Sequence, residues 1–278
     1  MAKTWFVTGA GRGMGRAWVE AALERGDNVV ATSRDMTGVD DLHAGYGERM
    51  HIETLDVRDR EAVLKSVRGA KDRFGSLDFV VDNAGTGHDG VIEDVTEDEA
   101  RASMETNFFG ALWVTQAAVR VMRPQGSGLI VQMSTQGGQM AHAGLGLYHA
   151  SKWALEGLTE ALEHELAGTG VHTILIEPGA ALTEWFTRSL TRSPENPAYA
   201  DVMATRFDLD PALMPPARVV VDAAMIAVCS EEPPTRILLT DQAFDNVTTA
   251  VRERLQQWEA WEQVARSATV QQADIDGS

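Results

Sequence analysis

Short runs of β-branched and apolar residues alternate along this chain with longer stretches whose apolar positions recur every three or four residues, the spacing that lines up one helical face. Thr4-Trp5-Phe6-Val7-Thr8 is the first run. Met14, Ala17, Trp18, Ala21 and Ala22 follow on one helical face, closed by Gly26. Further strands are expected over 28–33, 51–55, 77–81, 129–133, 171–176 and 236–240. Helices are expected over 61–74, 148–166 and 218–229, and along the stripe Met104, Phe108, Ala111, Leu112, Thr115, Val119 and Met122, which Pro124 should stop. Strands that alternate with helices indicate βαβ units around a parallel sheet covered on both faces, joined by right-handed crossovers. The expected fold class is α/β: one doubly wound parallel sheet of about seven strands over 1–245, with a C-terminal helical extension over 246–278.

Two segments break the alternation. Residues 182–216 hold Trp185, Phe186, Leu190, Tyr199, Met203, Phe207, Met214 and five of the nine prolines, a pattern expected of a lid or binding loop. An amphipathic helix over 247–264 carries Trp258 and Trp261, three apart and so on one face. Packing on their own domain is the expectation for this pair; roofing a pocket or meeting a second subunit are the alternatives.

Composition narrows the function classes. Over 278 residues, 41 Asp and Glu outnumber 24 Lys and Arg, a net charge of −17. Such a surface repels phosphate backbones and anionic lipid, so neither nucleic acid nor a membrane is an expected partner. No apolar run approaches the roughly 18–20 residues of a membrane span. The first residues enter a strand without a basic, apolar leader, and the lone Cys229 fits a reducing compartment, so a cytoplasmic protein is expected. The seven histidines form no metal-binding spacing, and no metal is expected.

Thr8-Gly9-Ala10-Gly11-Arg12-Gly13-Met14-Gly15 joins the first strand to the first helix. Glycines here let the backbone turn tightly and approach a pyrophosphate, and the helix N-terminus offers free N–H groups to the anion. The spacing is T-G-x-x-x-G-x-G through Gly9, Gly13 and Gly15; a G-x-G-x-x-G loop would need glycine at Met14 or Arg16.

That loop, Asp82-Asn83-Ala84-Gly85, Asn107, Tyr148-His149-Ala150-Ser151-Lys152 and Pro178-Gly179 occur in one order at suitable separations. Together they resemble the short-chain dehydrogenase/reductase family, over about residues 3 to 245. The resemblance implies a Rossmann-type fold, an NAD(P) cofactor and hydride transfer between it and a carbonyl/secondary alcohol. It implies Tyr148 as general acid/base, Lys152 as its electrostatic partner and ribose ligand, and Asn107 as holder of a helix kink and a water. The family's usual serine falls at Thr135, with Ser134 just before it; Thr135 is the expected polarising hydroxyl, and a register shift would bring in Ser134 instead. Tyr148 and Lys152 are four apart, so both share one helical face, and an ammonium nearby would lower the phenol's pKa.

For the cofactor's phosphates the resemblance implies Gly9, Arg12, Gly13, Met14 and Gly15. It implies Asp56 and Val57 for adenine, Asn83, Ala84 and Gly85 for the central region, and Pro178, Gly179 and Thr183 for the nicotinamide. Asp82 departs from the asparagine common at its position. Where NAD users carry an acid at the end of the second strand, this chain has Ser33 followed by Arg34. With Arg12 these suit a 2′-phosphate, so NADP(H) is the expected cofactor and NAD(H) the alternative; Asp35 could offset Arg34. The apolar residues of 182–216 point to a lipophilic ketone. The family also implies a homo-oligomer, a dimer or tetramer, through the helices around 104–122 and 148–166. An enoyl reductase or epimerase on the same residues and a silent NAD(P)-binding sensor or scaffold remain alternatives.

Overall fold

The computed structural model describes residues 2–204 and 211–269. In chain order the first half forms β1 (Thr4–Thr8), α1 (Gly13–Glu24), β2 (Asn28–Ser33), α2 (Asp40–Tyr46), β3 (Met50–Thr54), α3 (Arg60–Phe74), β4 (Phe79–Asp82), β5 (Gly87–Asp89), α4 (Glu97–Met104) and α5 (Ala111–Gln125). Then come β6 (Gly128–Met133), α6 (Gly146–Glu165), β7 (Val171–Pro178), β8 (Leu190–Arg192), α7 (Ala200–Ala204), α8 (Ala217–Val228), β9 (Arg236–Leu239), α9 (Asp241–Ala260) and α10 (Glu262–Ser267). Seven strands make one parallel sheet in the order β3-β2-β1-β4-β6-β7-β9. The chain runs outward from β1 to β3, then returns to β4 on the other side. That reversal opens a crevice at the C-terminal ends of β1 and β4, where open parallel sheets bind ligands.

Residues alternate between the two faces of the sheet. Trp5 and Val7 of β1 enter the layer shared with α1 and α8, while Phe6 enters the layer shared with α3 and α5. Trp5 stacks on Phe79 at 4.0 Å and lies 6.2 Å from Trp18 of α1, all within the core. This aromatic group fixes both ends of the glycine loop; truncating Trp5 or Trp18 to alanine would cost about 3–5 kcal/mol.

Several elements differ from the sequence expectation. The long helix does not run unbroken from Met104 nor stop before Pro124. A wide turn of π-type bonding over Glu105–Gly110 divides α4 from α5, and α5 continues through Pro124 to Gln125. In the last turn the missing proline N–H frees only one carbonyl, and the helix ends instead at Gly126, left-handed at φ 77°, whose N–H donates to Met122 and Arg123. α4 was unexpected, yet a capping box starts it: Thr96 Oγ1 accepts from Glu99 N–H and Glu99 accepts from Thr96 N–H. β8 pairs in parallel with β5, strapping Leu190–Arg192 to the body. The last helix begins at Asp241 and breaks at Trp261. Trp258 and Trp261 do not pack on their own domain; they are 65% and 67% exposed. Phe207 lies outside the described residues. Among those residues no helix is long and apolar enough to cross a membrane.

Candidate active site

The crevice holds a cavity of about 570 Å³ that reaches from the glycine loop to Tyr148. At its phosphate end, Gly13 takes φ 54°, a left-handed conformation, and a Cβ on Gly15 would collide with the Gly9 carbonyl. Arg12, the N-cap of α1, offers no side-chain acceptor to the helix, so the first-turn N–H groups are left for an anion. Gly9, Arg12, Gly13, Met14 and Gly15 all line the cavity.

Thr8 Oγ1 organises the junction of β1 and β4. It accepts from the N–H groups of Asn83 at 2.9 Å and Ala84 at 3.0 Å, and Asn83 Nδ2 donates to the Thr8 carbonyl at 3.0 Å. These bonds turn Asn83, Ala84 and Gly85 across the cavity floor. Asn107 sits in the wide turn between α4 and α5, at the kink expected of it. Its Nδ2 donates to the Thr86 carbonyl and to Ser151 Oγ, and its Oδ1 accepts from Thr86 N–H.

Thr135 follows β6 and donates to the Pro178 carbonyl at 3.1 Å, tying the ends of β6 and β7. Its side chain lines the cavity together with Tyr148. Ser134 Oγ faces the Glu156 carboxyl instead. The adjacent hydroxyls thus point apart, as the pleat requires.

Tyr148 and Lys152 lie one turn apart on α6, and both line the cavity. Lys152 is buried, and its Nζ donates to the Met133 carbonyl at 2.7 Å. Burial pushes its pKa down to about 8, opposed by the charges of Asp82 and Glu156. Burial pushes the Tyr148 phenol up, against a smaller opposing influence of the Thr135 hydroxyl. The expected lowering of the phenol by Lys152 is therefore not met in the protein alone: burial sets the shift, and the ammonium is bonded to the Met133 carbonyl.

At the far end, Ser33, Arg34, Asp56 and Val57 line the same cavity. Arg12 Nη2 donates to Ser189 Oγ at 3.0 Å. Asp35 turns to Thr37, whose hydroxyl at 2.8 Å and N–H at 3.1 Å hold its carboxyl below the usual range. Arg58, and beyond it Arg34, do the same for Asp56. Pro178, Gly179 and Thr183 complete the wall, with Gly179 N–H bonded to the Leu239 carbonyl at 3.0 Å.

The short-chain dehydrogenase family model matches residues 3–193. The chain belongs to that family. It is similar to the oxidoreductase BOA17 of Botryotinia fuckeliana, 32% identical over 271 residues, covering 95% of this chain and 98% of that protein. It is also similar to the 3-oxoacyl-[acyl-carrier-protein] reductase FabG of Vibrio cholerae, 32% identical over 208 residues, covering 74% of this chain and 84% of that one. A crystal structure of a short-chain dehydrogenase from Streptomyces avermitilis superposes with a TM-score of 0.90 at 37% identity, covering 96% and 98% of the two chains. This short-chain dehydrogenase is an NAD(P)-dependent oxidoreductase.

The residues present fit such a dinucleotide. An uncapped helix N-terminus and two arginines face one end, and at the other a Cβ on Gly85 would stand 3.4 Å from Asn107 Oδ1 and 3.7 Å from Lys152 Nζ. The dehydrogenase also recruits residues that sequence reasoning missed. Trp185 is not one of them: it belongs to the segment expected as a lid, and its ring lies 5.3 Å from Tyr148. Gln242 and Asn246 of α9 line the cavity, and Asn246 Nδ2 donates to Gln136 Oε1 at 3.2 Å. Their spacing of four was the available signal. The turn that brings α9 there is strained: Thr240 has φ 86°, held by its hydroxyl accepting from Ala243 N–H. His149, beside Tyr148, accepts from His142 N–H at its Nδ1, and burial lowers its pKa to about 4. Away from the cavity lining, Ser193 of the strap donates to Glu99 at 3.0 Å and lies 3.1 Å from His88 Nε2.

Proposed function

We propose that this enzyme reduces a lipophilic ketone with NADPH. The observation that carries the reading is that Thr135, Tyr148 and Lys152 line one cavity, with Lys152 buried one turn of α6 from Tyr148. When bound, the reduced nicotinamide supplies the hydride. When the ketone binds, the Thr135 hydroxyl turns its one hydrogen from the Pro178 carbonyl to the ketone oxygen and polarises it, and Tyr148 gives that oxygen its proton as the carbon accepts the hydride. Lys152 holds positive charge beside the phenolate so left, and Asn107 keeps α6 and the Thr86 segment in register. A tyrosine whose pKa burial has raised retains its proton until it is needed, which suits a donor.

Arg12, Arg34 and the Ser33 hydroxyl support the choice of NADPH: all three line the far end of the cavity, and Asp35 is engaged by Thr37. Trp185, Phe186 and Leu145 on the cavity wall support an apolar substrate. The FabG relative is named as a 3-oxoacyl reductase, which supports the carbonyl as the reacting group. Aryl and alkyl ketones offered with NADPH and with NADH test the proposal. Faster consumption of NADPH is expected; preference for NADH, or no turnover of any ketone, contradicts it.

A further inference from the structure

β4 ends at Asp82, which the register of the sheet sets beside Gln132 of β6. Partners on neighbouring parallel strands project to one face, here the α5 side: Val80 and Ile130, two residues back, belong to the core layer shared with α5, and Gln132 Nε2 donates to Thr115 Oγ1 at 2.7 Å. Asp82 and Gln132 are 4% and 0% exposed. Each has an oxygen without a donor, Asp82 Oδ2 and Gln132 Oε1. Asp82 Oδ1 receives only the Thr8 hydroxyl at 3.2 Å, and that hydrogen is shared with the Val81 carbonyl at 3.4 Å. A buried carboxylate commonly gathers two or three donors. This one has a fraction of one, so its charge needs another counterpart. The cation acting on it is Lys152, whose Nζ is bonded to Met133, the residue after Gln132.

We propose that Asp82 is a positioning residue for Lys152, a buried counter-carboxylate that keeps the lysine an ammonium at working pH. Its use in catalysis rests on the reading of Lys152 given above. An asparagine, the residue more common in the family, would set an amide N–H against Gln132 Oε1 and no charge against Lys152. The other charged group facing the lysine is Glu156, one turn further along α6. Glu156 is held elsewhere: Gln139 Nε2 bridges it to Glu177 of β7 at 3.1 Å each, and Arg236 of β9 is 3.7 Å away. From the wide turn Asn107 is neutral, and from α6 Tyr148 is a neutral phenol. Burial lifts the Asp82 carboxyl to about 6 and lowers Lys152 to about 8, so both are charged between those values.

The test is Asp82→Asn. The chain has four lysines, Lys3, Lys65, Lys71 and Lys152, so NMR of lysine labelled with ¹³C at the ε-carbon resolves each, and loss of one signal in Lys152→Arg assigns it. The Lys152 signal is expected to titrate near 8 in the wild type and about one unit or more lower in Asp82→Asn, the size of shift an opposite charge at close range produces. The alkaline limb of kcat/KM should move down with it. Melting temperature at pH 7.5 should hold or rise, because a carboxyl whose folded pKa is raised loses stability as pH climbs through about 6 and the amide does not. An unchanged Lys152 titration overturns the proposal. A shifted titration in a protein that reduces no ketone leaves Asp82 in its role and removes the catalytic reading instead.

Discussion

The ammonium of Lys152 is bonded to the carbonyl of Met133, at 2.7 Å, in the buried end of the sheet. The lysine thereby spans from α6 to β6 and carries its charge under the cavity floor. Replacing it removes both the tether and the charge. Lys152→Met is expected to lower kcat by about 10²–10⁴-fold, the range of a general acid–base contribution. Steady-state kinetics checks this, and wild-type activity should decline above pH 8, where the lysine loses its proton.

Arg12 and Arg34 face the same end of the cavity, but Arg12 is tied to Ser189 while Arg34 is exposed. Arg34→Ala should weaken NADPH about 10- to 150-fold and leave NADH within about twofold, because a charge-assisted contact to phosphate is worth about 1.5–3 kcal/mol. Arg12→Ala should do the same and also loosen the strap at Ser189. Fluorescence titration with both nucleotides measures each.

Neighbouring hydroxyls should behave differently. The Thr135 hydroxyl acts on the Tyr148 phenol, whereas Ser134 faces Glu156. Thr135→Ala should cost about 10²-fold in kcat, the loss of one donor to the reacting oxygen, and Thr135→Ser should restore most of it. Ser134→Ala should leave kcat within about threefold, because its hydroxyl makes no hydrogen bond among the described residues and faces away from the reacting oxygen. Equal losses at the two positions would show that the register has been misread.

Much of this was legible in the chain. The seven strands of the main sheet are β-branched runs, and the glycine loop, Tyr148 and Lys152 sit on the elements their spacing demands. What stayed hidden lacks apolar periodicity. α2 buries no residue and α4 only Ser103, so neither shows a stripe. β5 and β8 have three residues each, and His88, Asp89, Thr191 and Arg192 among them do not read as strand. Gln242 and Asn246 look like a solvated helix face until the strained turn at Thr240 carries them to the cavity. The charge of Asp82 acquires meaning only when the register reveals Gln132 beside it.

His149 gives a pH prediction. It is buried, and its folded pKa of about 4 lies below the ordinary value of 6.5. Between those values the unfolded chain binds the proton and the folded one does not, so stability is lost as pH falls through that window. The cost should reach about 2–3 kcal/mol by pH 4. His149→Asn should show a shallower acid decline than the wild type in urea unfolding across pH 4–7. Parallel declines would mean that other groups carry the acid sensitivity.

Tyr148→Phe tests the central claim most directly, because it removes one oxygen from a ring that keeps its packing against Trp185. NADPH affinity and ketone turnover would be measured on the same preparation. The account predicts nucleotide affinity within about twofold of the wild type and turnover lower by at least about 10²-fold, the proton donor's share of the rate. Turnover equal to the wild type would contradict it.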